Sequence, residues 1–313
     1  TDAWVNGDTF TDLIRLVVLD LGHNRLARLD AALFGHLYSL QILHLGHNEI
    51  ESVAEQAFVS LYNLHTLVLS HNRLRRLDAN ALAGLYGLSL LSIDHNRLEA
   101  VHADAFRNCT HLEALHLNGN RLSFVPEAMT HLAFLHTLDL GENRVEKLPT
   151  GIFKGLRQLT GLRLMGNAVD NVSKDAFADL PSLKSLNLAR NSLEAVEPGT
   201  FEAAPALQAL RLDANHLVDI TGLFSHLPAL RWLNISANRL AWFDYALVPL
   251  GLHWLDLRAN RITALGNYFE LEGRLQLQTL DASANRITEL GAAAVPDAVQ
   301  HLLLSDNLIS SVQ

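Results

Sequence analysis

Four histidines recur at a spacing of 24 residues, and each stands immediately before an asparagine: His23, His47, His71 and His95. Imidazole titrates near neutral pH and is a common metal ligand. The row therefore suggests a pH sensor or a metal site, and the alternative is a solvated polar rim. Metal ligands must converge on one point, which equivalent positions along a row do not do. The polar rim is the favoured interpretation, the four histidines are candidate contacts for a partner, and no bound metal is expected.

Charged residues occupy the middle of the chain at similar intervals. Arg163, Arg190 and Arg211 are interspersed with carboxylates such as Asp139 and Asp213. Mixed charges on one face can steer a protein partner. They are equally compatible with a solvated surface, so the three arginines are candidate contacts for a partner.

Trp232 and Trp254 share one register, because each stands six residues before an asparagine, Asn238 or Asn260. This register predicts that the two indoles stack on neighbouring strands. Exposed tryptophan pairs are good anchors in protein interfaces. The alternative is that they cover a thin place in the core, since the repeat lengths become irregular here.

Three sequons of the form Asn-x-Ser/Thr begin at Asn108, Asn171 and Asn234 and are candidates for N-glycosylation. The register of Asn234 predicts that its side chain points outward from the sheet. A glycan at this position would shield the middle of that face.

No motif indicates catalysis or a cofactor. The sequence has no glycine-rich phosphate loop, no Gly-x-Ser-x-Gly elbow and no Cys/His cluster, so we expect neither an enzyme nor a cofactor. Cys109 is the only cysteine, and it stands at a leucine position, which predicts burial. The net charge of −9 argues against a nucleic-acid partner at neutral pH.

All these residues are placed by one repeated pattern, Leu-x-x-Leu-x-Leu-x-x-Asn-x-Leu, of which residues 64–74 are a complete copy. The asparagine of the pattern recurs at steps of 22 to 25 residues: Asn24, Asn48, Asn72, Asn96, Asn120, Asn143, Asn167, Asn191, Asn215, Asn238, Asn260, Asn285 and Asn307. This is the signature of a leucine-rich repeat, in which each copy contributes one strand and one turn of a solenoid. The predicted fold class is an α/β leucine-rich-repeat solenoid (horseshoe) of about 13 repeats. A parallel sheet would line its concave face, and short helices or turns would line its convex face.

The asparagines are predicted to form a structural ladder. Leu67 and Leu69 alternate with Val68 and point into the coil, and Asn72 follows where the chain turns inward. A buried amide without partners costs roughly 1–3 kcal/mol. Stacked turns offer backbone partners at this point, so we expect one hydrogen-bonded ladder.

We expect one solenoid segment over residues 1–313, because stacked repeats share one continuous core. The repeats are regular over residues 1–238 and irregular and aromatic-rich over residues 239–313. Both ends fall inside a repeat, so capping units are expected outside this segment. No run of eighteen apolar residues predicts a transmembrane helix.

Several runs resemble a known family. Residues 69–74, Leu-Ser-His-Asn-Arg-Leu, resemble Toll and Toll-like receptor ectodomains. The last quarter of the chain more specifically resembles the long insect Toll receptors, the group that includes Tollo. The runs that carry this resemblance are Phe-Asp-Tyr-Ala-Leu at 243–247, Gly-Leu-His-Trp-Leu-Asp-Leu at 251–257, Leu-Gly-Asn-Tyr-Phe-Glu at 265–270, Asp-Ala-Ser-Ala-Asn-Arg at 281–286 and Asp-Asn-Leu-Ile-Ser at 306–310.

The resemblance implies a single-pass type I receptor in the cell membrane, with this segment on the extracellular side. Cysteine-rich caps, a transmembrane helix and a TIR signalling domain would lie outside the segment. The implied partners are Spätzle-like cystine-knot proteins or other Toll receptors, in developmental and innate-immune signalling. Two alternatives are a cell-adhesion or matrix protein without a signalling domain, and an acid-dependent endosomal receptor. The 16 histidines motivate the second alternative.

Overall fold

Short parallel strands and turns make up the computed structural model, which describes residues 8–313. Strands of three residues span the positions six to four before each ladder asparagine, because leucine alternates with outward-facing residues there. These thirteen strands are Val18–Asp20, Ile42–His44, Thr66–Val68, Leu90–Ser92, Ala114–His116, Thr137–Asp139, Gly161–Arg163, Ser185–Asn187, Ala209–Arg211, Trp232–Asn234, Trp254–Asp256, Thr279–Asp281 and His301–Leu303.

A second set of strands, each two residues long, begins four or five residues after a ladder asparagine. They are Arg28–Leu29, Ser52–Val53, Arg76–Leu77, Ala100–Val101, Lys147–Leu148, Asn171–Val172, Phe243–Asp244, Leu265–Gly266, Glu289–Leu290 and Ser311–Val312. The helices are short 3₁₀ segments: Glu127–His131, Thr200–Ala203, Tyr245–Leu247 and Ala292–Ala294. No α-helix occurs within residues 8–313. Of the short helices or turns that the sequence predicts between successive strands, most are turns.

The chain divides into two compact units. One extends to Val145 and includes Phe153–Leu162, and the other comprises Glu146–Ile152 and Arg163–Gln313. In the first unit, neighbouring strands pair in parallel with leucine opposite leucine, as for Leu43 and Leu67. The second unit has the same register, as for Leu233 and Leu255. The predicted fold class is confirmed, while a single domain over residues 1–313 stays a prediction.

Aromatic rings fill the back of the turns in both units. Phe34 and Phe58 stack with ring centroids 6.0 Å apart in the first unit, and Phe177 and Phe201 stack at 5.9 Å in the second. Both pairs are fully buried. In the irregular repeats Tyr245 takes this role, and its hydroxyl donates a hydrogen bond to the carbonyl of Ala294. Burial raises the pKa of the Tyr245 phenol, so the hydroxyl remains a donor.

The ladder asparagines join neighbouring turns. Asn72 Nδ2 donates to the carbonyls of Leu69 in its own turn and Leu45 in the preceding turn, both at 3.0 Å. Its Oδ1 accepts from the amide of Ile50, also at 3.0 Å. Ten of the asparagines are buried and make this same set of bonds, whereas Asn24, Asn167 and Asn307 are more exposed. Each buried amide therefore meets its hydrogen-bonding needs by joining two turns.

Candidate functional site

The residue before each ladder asparagine adopts the left-handed backbone conformation. All thirteen have φ between 52° and 71°: His23, His47, His71, His95, Gly119, Glu142, Gly166, Arg190, Ala214, Ala237, Ala259, Ala284 and Asp306. This conformation is unfavourable for L-residues by roughly 1–2 kcal/mol, and the bonds of the following asparagine offset that cost. Sequence reasoning missed this feature. The glycines at 119 and 166, in the register of the histidines, were the available signal.

The four histidines form a stacked column in the first unit. Their ring centroids are separated by 4.3 Å from His23 to His47, 4.3 Å from His47 to His71, and 4.4 Å from His71 to His95. The column ends at Gly119, where an added Cβ would lie 2.9 Å from Cδ2 of His95. All four side chains are exposed.

The central position of His47 alters its titration. Desolvation lowers the pKa of His47, and the neighbouring imidazoles His71, His23 and His44 lower it further. Stacked cations repel one another, so the geometry favours the neutral form of this ring.

Asp94 is a carboxylate beside the column that sequence reasoning did not single out. Its Oδ1 accepts a 2.6 Å hydrogen bond from the Ser70 hydroxyl, and its Oδ2 lies 2.9 Å from His95 Nδ1. Burial acts to raise the pKa of this carboxyl. The bonds with Ser70 and His95 outweigh that effect, so the pKa lies below its ordinary value. Asp94 is therefore held as an oriented carboxylate.

Two of the three candidate arginines lie together in the second unit. Arg163 and Arg211 line an open depression of about 470 Å³, together with Met165, Asn187 and Trp232. Arg190 is instead one of the exposed left-handed residues and does not line this depression.

Arg211 is held in a fixed orientation by Asp213. Its Nε and Nη2 donate to the two carboxylate oxygens of Asp213 at 3.0 and 2.9 Å. The hydrogen bond with Asp213 raises the pKa of Arg211. The guanidinium therefore presents a positive charge in a defined position beside the depression.

The tryptophans stack beside this depression. The Trp232 and Trp254 rings are 4.3 Å apart with an interplanar angle of 5°, and the two residues are directly opposed in the sheet. Both are partly exposed. Leu233 and Leu255, their neighbours in the strands, are fully buried and fill the core there. The stacking follows the predicted register, and a role in binding stays a prediction.

The three sequons differ in accessibility. Asn108 is partly buried, and its Oδ1 accepts from the Gly84 amide at 3.1 Å. Asn171 is exposed in a two-residue strand. Asn234 is only 8% exposed, and its Oδ1 accepts from the Ser236 amide at 3.0 Å. The open position expected for Asn234 is therefore not found.

Comparison with known proteins identifies the repeat. A family model described as leucine rich repeat matches five overlapping segments: residues 5–50, 38–98, 87–141, 133–193 and 181–240.

The chain belongs to the leucine-rich repeat family.

This leucine-rich repeat chain is similar to Toll-like receptor 7 of Drosophila melanogaster, with 53% identity over 189 residues. The match covers 60% of this chain and 13% of the length of that receptor. The resemblance to Toll receptors predicted from the sequence is confirmed.

Solved structures share the fold. The structure of the Toll–Spätzle complex of Drosophila, in its glycosylated form, matches with a TM-score of 0.72 and 23% identity over 99% of this chain and 50% of that chain. The octameric complex of Latrophilin 3, Unc5D and the leucine-rich repeats of FLRT2 matches with a TM-score of 0.67 and 28% identity. That second match covers 80% of this chain and 77% of the other.

Two further features concern the helices and the single thiol of this leucine-rich repeat chain. Within residues 8–313, no helix has the length and apolar character needed to cross a bilayer. Cys109 is fully buried, and burial raises the pKa of its thiol to about 12. The thiol is therefore unreactive at neutral pH.

Proposed function

We propose that this chain is an extracellular, partner-binding segment of a Toll-type receptor in the cell membrane. In this proposal it binds a protein through the tryptophan face, defined as Trp232, Trp254, Arg163 and Arg211. The single observation that carries the proposal is the stacked, partly exposed tryptophan pair beside a depression lined by two arginines. The identity to Toll-like receptor 7 supports assignment to a receptor.

The chemistry of this face suits a protein ligand. Tryptophan and arginine are enriched among the residues that dominate binding energy. Arg211 is already oriented by Asp213, so docking costs little additional side-chain entropy there. A partner that fits would place an apolar side chain against the indoles and a carboxylate against an arginine. Spätzle-like cystine-knot proteins and the ectodomains of other Toll receptors are the partner classes that the family resemblance suggests.

The experiment is a binding measurement with the complete ectodomain. A Spätzle-like protein or a second Toll ectodomain is immobilised, and wild type is compared with Trp232→Ala/Trp254→Ala. We expect at least about a tenfold loss of affinity, since removing central aromatic anchors costs 1 kcal/mol or more each. The matched control is Tyr38→Ala/Tyr62→Ala, which removes another stacked, exposed aromatic pair in the first unit. Equal binding by the tryptophan double variant, with an unchanged circular dichroism spectrum, overturns the proposal.

A second candidate function is cell adhesion without signalling. It is favoured by the likeness to FLRT2, whose repeats form part of a multiprotein complex. The downstream coding sequence distinguishes the two, because a TIR domain supports a signalling receptor.

The acid-dependent endosomal receptor is supported by the histidine column. Binding of DNA or RNA at pH 5.5 and 7.5 tests it, and no binding at either pH removes it.

We also propose Asn171 as the glycan acceptor among the three sequons. Its side chain is exposed, whereas Asn108 and Asn234 engage backbone amides. Asn171 lies outside the three-residue strands, so a glycan there does not occupy a residue of the tryptophan face. Mass spectrometry of the secreted ectodomain tests this, and a glycan on Asn234 with none on Asn171 contradicts it.

A further inference from the structure

We propose that His71, Asp94 and His95 form a binding site for a divalent transition-metal ion, with zinc as the fitting species. The three residues come from two successive repeats. The sequence argues against a metal because imidazoles in a row do not converge. The structure adds a carboxylate beside the last ring of that row.

The three side chains offer ligand atoms at one point. One ligand atom from each lies within 4.8 Å of the other two, and this is the one such group of histidine, cysteine or acidic residues within residues 8–313. Zinc bonds of about 2.0–2.2 Å in a tetrahedral site place ligand atoms about 3.4 Å apart. Because the His71 and His95 side chains are exposed, their imidazoles have room to rotate toward such an arrangement.

The carboxylate distinguishes this end of the histidine column from the other. The positions that precede His23, His47 and His71 are Gly22, Gly46 and Ser70, so an acidic residue precedes only His95. Two nitrogens and one oxygen, with water completing the set, match the ligand preference of zinc and neighbouring transition metals.

A supporting hydrogen bond orients this carboxylate. The Ser70 hydroxyl donates to Oδ1 of Asp94 and leaves Oδ2 beside His95 Nδ1. Partners of this kind, which hold a ligand in position, typically change metal affinity about 10–100-fold when removed. The hydroxyl comes from the same turn as His71, so both turns contribute to the site and to its support.

Metal binding at this place has a mechanical consequence. His71 stands in one turn and Asp94 with His95 in the next, so a bound ion would join two turns. An ion that binds the folded state and not the unfolded chain raises the melting temperature, and the stabilisation grows with the logarithm of the ratio of ion concentration to dissociation constant. Stability is thus a second readout that does not depend on any partner protein.

The test is calorimetric titration of zinc chloride into tag-free protein, with thermal melting in parallel. We expect one saturable site in wild type, and a loss of at least about tenfold in affinity in Asp94→Asn and in His95→Ala. Ser70→Ala removes the orienting hydroxyl and should weaken binding about tenfold, and by less than the loss of either ligand. At one zinc concentration, the melting temperature of wild type should rise by more than that of Asp94→Asn.

His23→Ala is the matched control, because it removes an imidazole of the column outside the proposed site. It should bind zinc like wild type. Equal affinity of Asp94→Asn and wild type, or no saturable binding, overturns the proposal. So does a loss in His23→Ala as large as that in His95→Ala, which means that zinc associates with the imidazole row as a whole. Melting without zinc verifies that each variant is folded.

Discussion

The left-handed position before the ladder asparagine carries histidine in repeats one to four and alanine in repeats nine to twelve. The φ angles of the four histidines lie between 54° and 58°, and those of Ala214, Ala237, Ala259 and Ala284 lie between 52° and 56°. The backbone is therefore the same whichever side chain is present. The turn geometry is set by the asparagine that follows, so the imidazoles are not needed to build the turn. The four consecutive imidazoles therefore determine the chemistry of the exposed surface and not the conformation of the turns.

The two regions also differ in their candidate surfaces, which are the histidine column in the first unit and the tryptophan face in the second. In the first unit the stacked rings stand on turns, at positions that tolerate alanine elsewhere. In the second unit the stacked indoles stand on strands and border a depression. One scaffold thus presents aromatic stacks from two kinds of backbone position. The two regions share the asparagine ladder and differ in the side chains that they expose, and substitutions can separate the two contributions.

The largest effect is expected from breaking the ladder, which both regions share. Asn120 bonds to Ile93, Leu117 and Leu98 in the regular repeats, and Asn285 makes the equivalent bonds in the irregular ones. Replacing either by alanine leaves buried backbone groups without partners. We expect each change to lower the free energy of unfolding by at least about 2 kcal/mol in urea titrations.

Asn118→Ala is the control for this measurement, because it changes a neighbouring asparagine outside the ladder register. A strong effect at Asn120 with none at Asn285 would show that the irregular repeats are held together by other contacts.

An intermediate effect is expected where the histidine column ends. Gly119→Ala places a Cβ in the left-handed region and within 2.9 Å of the His95 ring, at a cost of about 1–2 kcal/mol in unfolding free energy. Part of this cost should disappear in a His95→Ala background, which a double-mutant cycle measures. An identical cost in both backgrounds means that the ring moves away freely and only backbone strain remains.

A small effect is expected from exchanging the side chains of the two regions. His71→Ala and Ala237→His, measured with a chelator present, should each change the unfolding free energy by no more than about 0.5 kcal/mol. The reason is that both side chains occupy the same exposed backbone position. A change above about 1 kcal/mol at His71 would contradict the view that the turn does not need its imidazole.

The smallest effect is expected from replacing two carboxylates of the second unit. The informative result is whether the melting temperature rises or falls in each variant. Desolvation raises the pKa of Asp256, so its ionised form destabilises the folded state, and protonation removes that penalty. Asp256→Asn should therefore raise the melting temperature at pH 7, and the gain should fade in acid. Asn234, at the equivalent strand position, shows that an amide oxygen makes the same turn bond.

Asp219 provides the opposite case. Hydrogen bonds from Thr221 lower the pKa of Asp219, so its ionised form stabilises the folded state above the ordinary pKa of the group. Asp219→Asn should lower the melting temperature at pH 7, and this loss should also fade as the pH falls. Shifts of the same sign in both variants would mean that charge does not account for either.

The sequence predicts the turns of this fold, because a pattern of leucine and asparagine within eleven residues determines each one. Stacking of Trp232 on Trp254 follows from the same register. Other features depend on contacts between turns that no local pattern encodes. Examples are the bond from Ser70 to Asp94, the bond from Tyr245 to Ala294, and the burial of Asn234. The side-chain orientations that produce them are set by three-dimensional neighbours.

The ladder has a direction. Each buried asparagine reaches back to a carbonyl and an amide of the turn before it, as Asn48 does to Leu21 and Leu26. A newly synthesised turn therefore keeps one open donor and one open acceptor until the next turn leaves the ribosome and closes over them. A chain shortened after any complete turn would therefore expose one backbone donor and one backbone acceptor that the missing asparagine pairs in the longer chain.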